Sequence, residues 1–307
     1  MEVLIIGLGS IANKHLFAIN SVLSNSNLFA LRSGKKSTII KGIQNIYNLE
    51  ELINKPDFAI ISTPTNLHAN FIVELSKRNI PMMIEKPSLH TLEEADSILS
   101  LIKQNKSFTY VAFNLRFHPC IQFLKNYLEA NKIRINEVTV YCGSYLPDWR
   151  PNVNFKNIYS ANLNMGGGVH LDLIHELDFT TWLFGKPLSY KAFKSNKSSL
   201  NIDAPDYSHY LLYYPNYCAT ITLNYFRRDT KRTIEIVHED STISVDLIHQ
   251  IIIDSKRGVL FEKKEFNILD TYVSQMNYFV ENLLNKQAPM NTFEESLDVL
   301  EIALSNE

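Results

Sequence analysis

Four short segments of the chain carry residues whose types and spacing could do chemistry. Asp172 and His175 lie three apart in Gly166-Gly167-Gly168-Val169-His170-Leu171-Asp172-Leu173-Ile174-His175, the separation of neighbours on one helical face. A carboxylate beside an imidazole can hold its tautomer and raise its basicity, as a general base near neutral pH requires. Lys86, in Glu85-Lys86-Pro87, could hydrogen-bond a substrate oxygen and stabilise negative charge developing there. Ser62-Thr63-Pro64-Thr65-Asn66-Leu67-His68 and Asn114-Leu115-Arg116-Phe117-His118-Pro119 are further segments with polar groups, each following an apolar run. Taken singly, each has an ordinary reading as turn chemistry or a structural helix pair. Zinc ligation by His170, Asp172 and His175 is not expected, because the two histidines are five apart and point to different helix faces. No metal is assigned.

A fifth segment lies at the start of the chain. The apolar run Val3 to Ile6 ends on Gly7-Leu8-Gly9-Ser10-Ile11-Ala12, the G-x-G-x-x-A form of the dinucleotide fingerprint. Gly7 would permit the strand-to-helix turn, Gly9 would let backbone approach a pyrophosphate, and Ala12 would keep helix close to sheet. Two glycines in a turn are weak evidence alone; their place at the end of the first expected strand is what the mechanism requires. The second expected strand ends in Ala30-Leu31-Arg32-Ser33-Gly34-Lys35-Lys36, without the acid that usually holds a ribose 2′-hydroxyl. Arg32 could pair with a 2′-phosphate, with Ser33 and Lys35 adding donors, so NADP is favoured over NAD.

The elements that must position these groups follow from periodicity. Strands are expected at 2–6, 28–32, 57–62, 81–84 and 108–113, with helices near 11–24, 48–54, 66–79 and 91–104. Thr91 with Glu94 and Asn48 with Glu51 have capping-box spacing. Apolar strands separated by helices imply a parallel sheet covered on both faces. Ligands bind such sheets at the carboxyl ends of the strands, so Gly7, Gly9, Thr63, Lys86 and Asn114 should converge. Beyond 120 the chain alternates as an antiparallel sheet should. Strands are expected at 136–145, 188–194, 207–214, 218–226, 232–238, 241–247 and 250–254, and helices near 168–183, 267–285 and 292–304. The fold class is α/β: a Rossmann domain over 1–118, then an α+β domain over 119–307 with a large, mostly antiparallel open sheet and the final helices packed back on it.

Bulk properties narrow the setting. A formal charge of -2 over 307 residues gives no electrostatic case for nucleic acid. Cys120, Cys142 and Cys218 are odd in number and far apart, which suits reduced thiols in a cytoplasmic protein. No apolar run approaches the roughly 18 residues of a membrane span, so no membrane partner is expected.

Together, Gly7-x-Gly9-x-x-Ala12, Ser62-Thr63-Pro64 with His68, Glu85-Lys86-Pro87, Asn114-Leu115-Arg116-Phe117-His118-Pro119 and the Asp172…His175 helix resemble the Gfo/Idh/MocA family (glucose-fructose oxidoreductase, inositol dehydrogenase, rhizopine catabolism). The resemblance spans nearly the whole chain in the right order. It implies a Rossmann domain, an α+β domain, and hydride transfer between a nicotinamide cofactor and a sugar, nucleotide-sugar or cyclitol. It also implies dimers or tetramers assembled through the second-domain sheet. The family's catalytic lysine falls on Lys86, and its second-domain pair on Asp172 and His175. Many members space that pair D-x-x-x-H; here it is D-x-x-H, which leaves open which group carries the proton. Cofactor contacts are expected from Gly7, Gly9, Ser10, Ile11, Arg32, Ser33, Lys35, Ser62, Thr63, Pro64, Asn66, His68, Glu85, Lys86 and Asn114. Substrate contacts are expected from Lys86, Arg116, Tyr145, Trp149, Arg150, Asp172 and His175, with Arg116 alternatively pairing with an acid. Pro87 is expected cis, as in relatives. His68 and His118 are expected as cofactor or structural partners, and Tyr210, Tyr213, Tyr214, Tyr217, Tyr225 and Phe226 as sheet and oligomer contacts. The stretch Tyr145 to Pro151 with Tyr159-Ser160-Ala161 resembles a bacterial subset linked to surface-glycan sugars. Two other readings stay open: a tightly bound cofactor used transiently in glycoside cleavage or elimination, and a non-catalytic nucleotide-binding sensor.

Overall fold

The computed structural model describes residues 1–34 and 39–306, which form two compact units. The first contains Met1–Asn114 and Asn267–Leu297. Its strands are β1 (Glu2–Ile6), β2 (Asn27–Leu31), β3 (Ile43–Ile46), β4 (Phe58–Ile61), β5 (Met82–Ile84) and β6 (Thr109–Val111). Helices α1 (Ser10–Val22), α2 (His68–Lys77) and α3 (Ala95–Asn105) connect them. All pairings are parallel, in the order β3-β2-β1-β4-β5-β6, the doubly wound arrangement. β4 and β5 are buried along their whole length, as strands covered on both faces must be. The strand order brings the C-terminal ends of β1, β4, β5 and β6 side by side. Two local readings change. The helix expected at 48–54 is a single 3₁₀ turn, Leu49–Glu51, after an additional strand, β3. The cap on α3 falls at Glu94, without a side-chain bond, and not at Thr91.

The second unit holds Leu115–Phe266 and the residues from Asp298 onward. After α4 (Pro119–Asn131) comes β7 (Ile135–Tyr145), then a run of 3₁₀ turns at Leu146–Trp149, Phe155–Asn157, Tyr159–Ala161 and Leu163–Met165. The helix expected at 168–183 is broken into α5 (Val169–Asp172) and α6 (His175–Phe184). The strands β8 (Ser189–Ser195), β9 (Tyr207–Tyr213), β10 (Cys218–Asn224), β11 (Phe226–His238), β12 (Thr242–Asp246), β13 (Ile251–Asp254) and β14 (Gly258–Glu262) complete the sheet. Its order is β14-β13-β12-β11-β7-β10-β9-β8, antiparallel except where β7 meets β10. Alternation along β9, with Ser208, Tyr210 and Leu212 buried and their neighbours half-buried, covers one face.

The remaining helices are α7 (Ile268–Asn285) and α8 (Phe293–Leu304). Here the single cut expected at 118 gives way, and α7 is a first-unit helix. Tyr272, Met276, Phe279 and Val280 join Ala12, Ala18 and Ile19 of α1 and Val3, Ile5, Phe58 and Ile60 of the sheet in one core. Phe279 meets the ring of Phe58 edge-on at 5.0 Å. The chain also returns along the edge of β6, where the Val111 amide donates to the Asn291 carbonyl at 2.9 Å. An apolar stripe dictates that a helix be covered, but not by which surface; each fully buried large side chain here contributes roughly 1.5–3 kcal/mol. Among the described residues, no helix is long and apolar enough to cross a membrane.

Candidate active site

In the first unit the site is built where β1, β4, β5 and β6 end. Gly7 has a φ of +85°, and a Cβ there would lie 2.9 Å from the Ser62 carbonyl oxygen. The close approach is fixed by Ser62, whose amide donates to the Ile6 carbonyl at 2.9 Å and whose hydroxyl donates to that of Gly7 at 2.7 Å. Gly9 differs: a Cβ there would meet nothing within 4 Å. Nothing among the described residues requires glycine at that point, whereas a pyrophosphate approaching the backbone would. The N-terminus of α1 has no side-chain cap and no acid in its first turn, so Ser10 and Ile11 present amides to an anion. Thr63 Oγ1 is buried without a hydrogen-bond partner among the described residues. These features fit a dinucleotide. Pro64 and Asn66 are exposed beside Thr63, and Asn114 Nδ2 donates to Thr271 Oγ1 at 2.7 Å. Arg32 and Ser33 follow β2, and the Arg32 amide donates to the Ile46 carbonyl at 2.9 Å. Lys35 lies outside the described residues.

Lys86 follows β5, and its peptide bond to Pro87 is cis. The flanking Glu85 is buried, accepting from the Lys86 amide at 3.1 Å and meeting His15 Nε2 on α1 at 2.6 Å. Burial alone would raise the Glu85 carboxyl, but the His15 bond and the charges of His15 and Lys86 hold it below its ordinary value. His68 is a buried brace: Nδ1 lies 3.1 Å from the Pro87 carbonyl and Nε2 lies 3.0 Å from that of Thr63. A neutral ring has one N–H, so it donates to one of these carbonyls and packs against the other, between the loops after β4 and β5. Its burial lowers its pKa.

In the second unit, Asp172 ends α5 and His175 opens α6, with Leu173 and Ile174 at the break. The expectation that both ride one continuous helix is therefore corrected. Tyr159 donates to Asp172 Oδ1, and Tyr225 donates to Oδ2 at 2.5 Å. Burial, then the Asp172 charge, pushes both phenols far above their ordinary value, so they remain donors. Gly167 makes this approach possible, since a Cβ there would lie 2.0 Å from the Tyr159 carbonyl. Two ion pairs to buried carboxylates set α6 itself. Glu176, beside His175, takes Arg232 at 2.5 Å, and Asp178 takes Arg116 through Nε and Nη2, the latter at 2.6 Å. Arg116 was expected to meet substrate or an acid. The structure engages its buried guanidinium with Asp178, so the substrate role gives way to a structural one. Trp149 donates to Ser144 Oγ at 3.0 Å and meets the Tyr225 ring edge-on at 5.3 Å. Tyr145 accepts from Arg228 at 2.9 Å, and Arg150 is exposed near Tyr159.

Residues 1–113 match the model of the oxidoreductase family with an NAD-binding Rossmann fold, and residues 121–244 match that of the Gfo/Idh/MocA C-terminal domain. The chain belongs to the Gfo/Idh/MocA family. Levoglucosan dehydrogenase of Pseudarthrobacter phenanthrenivorans is 28% identical over 139 residues, 44% of this chain and 35% of that protein. The chain matches roughly a third to a half of the length of such curated relatives. An oxidoreductase from Agrobacterium radiobacter, solved with NAD+, L-tartaric acid and magnesium, superposes with a TM-score of 0.86 at 17% identity, covering 100% of this chain and 95% of that one. UDP-N-acetylglucosamine 3-dehydrogenase from Acidithiobacillus ferrooxidans does so with a TM-score of 0.80 at 19% identity, covering 100% and 96%. Both share the fold.

This family member carries two tyrosines at Asp172 that sequence reasoning did not place there. Tyr225 was grouped with sheet aromatics, and Tyr159 carried only a loose resemblance. His118 has a structural place as the cap of α4, its Nδ1 accepting from the Cys120 amide at 3.2 Å. Burial and the nearby Arg232 charge lower its pKa to about 4, and burial and Lys194 lower that of His170 to about 3. Both stay neutral in the folded chain while the unfolded chain takes up protons below about 6.5, so stability is full above that pH. It should fall as pH drops from about 6.5 toward 4, by on the order of 2–3 kcal/mol for His118. His118→Asn keeps a capping acceptor and cannot titrate. Urea unfolding at stepped pH should show a flatter acid limb for it, with near-normal stability at neutral pH.

Proposed function

We propose that the chain is an NAD(P)-dependent oxidoreductase acting on a carbinol or ketone of a sugar or cyclitol. The observation that carries the reading is Lys86 at the end of β5, on the same sheet edge as the Gly7–Gly9 turn and the unpartnered Thr63 hydroxyl. A bound nicotinamide supplies the hydride acceptor or donor. The turn and the α1 N-terminus hold the pyrophosphate, with Ser62, Thr63, Pro64, Asn66, Glu85 and Asn114 shaping the rest of that edge. The Lys86 ammonium donates to the substrate oxygen and favours an alkoxide-like transition state. His175 takes the hydroxyl proton in oxidation and returns it in reduction. Asp172, with both oxygens engaged by tyrosines, serves as a fixed negative charge and not as the proton carrier.

Three outcomes check this reading. His175→Ala should lower kcat by about a hundredfold or more while cofactor affinity stays near normal, and Lys86→Ala should be at least as severe. Full turnover by His175→Ala would move the proton to Lys86 or Tyr145. For the cofactor, the absence of an acid after β2 and the presence of Arg32 and Ser33 favour NADP. Calorimetry should show NADPH binding more tightly than NADH, and Arg32→Ala should narrow the gap by roughly ten- to a hundredfold; equal affinities in the unmodified protein would defeat that preference. The reading also takes the outer face of the second sheet, with His209, Leu211, Thr220 and Thr222 half-buried and Phe193 exposed, as the surface for a second copy. Light scattering should give at least a dimer, and Phe193→Glu should weaken it; a monomer at micromolar concentration would refute this.

A further inference from the structure

His15 is a fully buried histidine to which the chemistry above gives no role. It lies on α1, and its Nε2 meets Glu85 Oε1 at 2.6 Å. The other oxygen of Glu85 accepts from the Lys86 amide at 3.1 Å, so one carboxylate joins α1 to the backbone of the lysine. His15 Nδ1 has no hydrogen-bond partner among the described residues, and the Tyr272 ring of α7 meets the imidazole edge-on at 5.8 Å. A ring enclosed in this way directs its hydrogen bonding to Glu85.

A tie between a helix and a loop needs no charge. Apolar contact would serve without desolvation, and a buried ion pair gains little over it. What this pair adds is a carboxylate charge one residue from Lys86. That charge depends on its partners. Burial is the largest influence on Glu85 and drives its carboxyl toward the neutral form, and the bond from His15 is the largest opposing one. Three groups face Glu85: His15 from α1, Lys86 from its own loop, and His68 from α2. His68 gives Glu85 no hydrogen bond, because its nitrogens lie at the Thr63 and Pro87 carbonyls. Lys14, beside His15 in the chain, lies over the Tyr272 ring, 5.2 Å from its centre.

We infer that His15 is a positioning residue for the reaction: its bond to Glu85 keeps that carboxylate ionised beside Lys86, and the ionised carboxylate keeps the lysine an ammonium. An ammonium donates to the substrate oxygen but cannot take its proton, which leaves the proton to His175. The assignment rests on the oxidoreductase reading and fixes which of its two candidate bases is charged.

Trace acetylation with acetic anhydride from about pH 7 to 11, read at the Lys86 peptide by mass spectrometry, tests it. Labelling rises with pH as the ammonium loses its proton. Glu85→Gln should move that rise down by about one pH unit, and His15→Leu, which removes the donor, should do the same. His15→Gln keeps an N–H donor and should restore the unmodified curve. Combined with Glu85→Gln, His15→Leu should shift nothing further, because His15 acts only through the carboxylate. Thermal unfolding reports the fold of each variant, and His15→Phe takes the place of His15→Leu should the latter not fold. The proposal is overturned by an unmoved curve for Glu85→Gln or His15→Leu, by a further shift in the two-site variant, or by a His15→Gln curve shifted as far as that of His15→Leu. Failure of the unmodified protein to bind NADH would overturn the oxidoreductase reading instead, whatever the Lys86 curve.

Discussion

A carboxylate taken out of water must find donors, and four buried carboxylates fix the parts of this chain that matter. Glu85 finds His15, which locks the Lys86 loop to α1. Glu176 and Asp178 find Arg232 and Arg116, which orient the first turn of α6 and with it His175. Asp172 finds two phenols, Tyr159 from the 146–165 turns and Tyr225 from between β10 and β11, which hold both to the end of α5. Removing one partner of such a pair typically costs about 3–5 kcal/mol, because the other is left charged and buried. The cost is large enough to make each arrangement close to obligatory.

Within the first unit, much of the candidate site was legible because its signals are local. Gly7, Ser62, Glu85 and Asn114 each follow an apolar run, and parallel pairing alone sends those ends to one edge. Gly7 was also correct in its physical reason, since its φ and the nearby Ser62 carbonyl both demand glycine. The short strands β3 and β14 were not legible. Ile43–Ile46 is a four-residue strand with few apolar positions, and β14 is mostly exposed.

What stayed hidden depends on contacts distant in sequence. The stripe on α7 reads equally well against either unit, and only the shape of the α1 surface decides. A three-residue spacing looks like one helical face, yet the backbone breaks between Asp172 and His175, and Glu176 and Asp178 beyond the break are held by arginines distant in sequence. Local pattern leaves Arg116 open between substrate and an acid, and places Tyr225 only among the sheet aromatics. Their partners lie 62 and 53 residues away, beyond any local pattern.

The His68 brace has a consequence for anyone rebuilding this protein. Its ring lies between the carbonyls of Thr63 and Pro87, so the loops after β4 and β5 pack on one side chain although a helix and a strand separate them in the chain. Segments exchanged with a relative in order to retune the cofactor edge would have to travel as a set: 62–68 together with 85–88. Swapping either alone would leave an imidazole facing a displaced carbonyl, and the mismatch would be felt at the lysine next door.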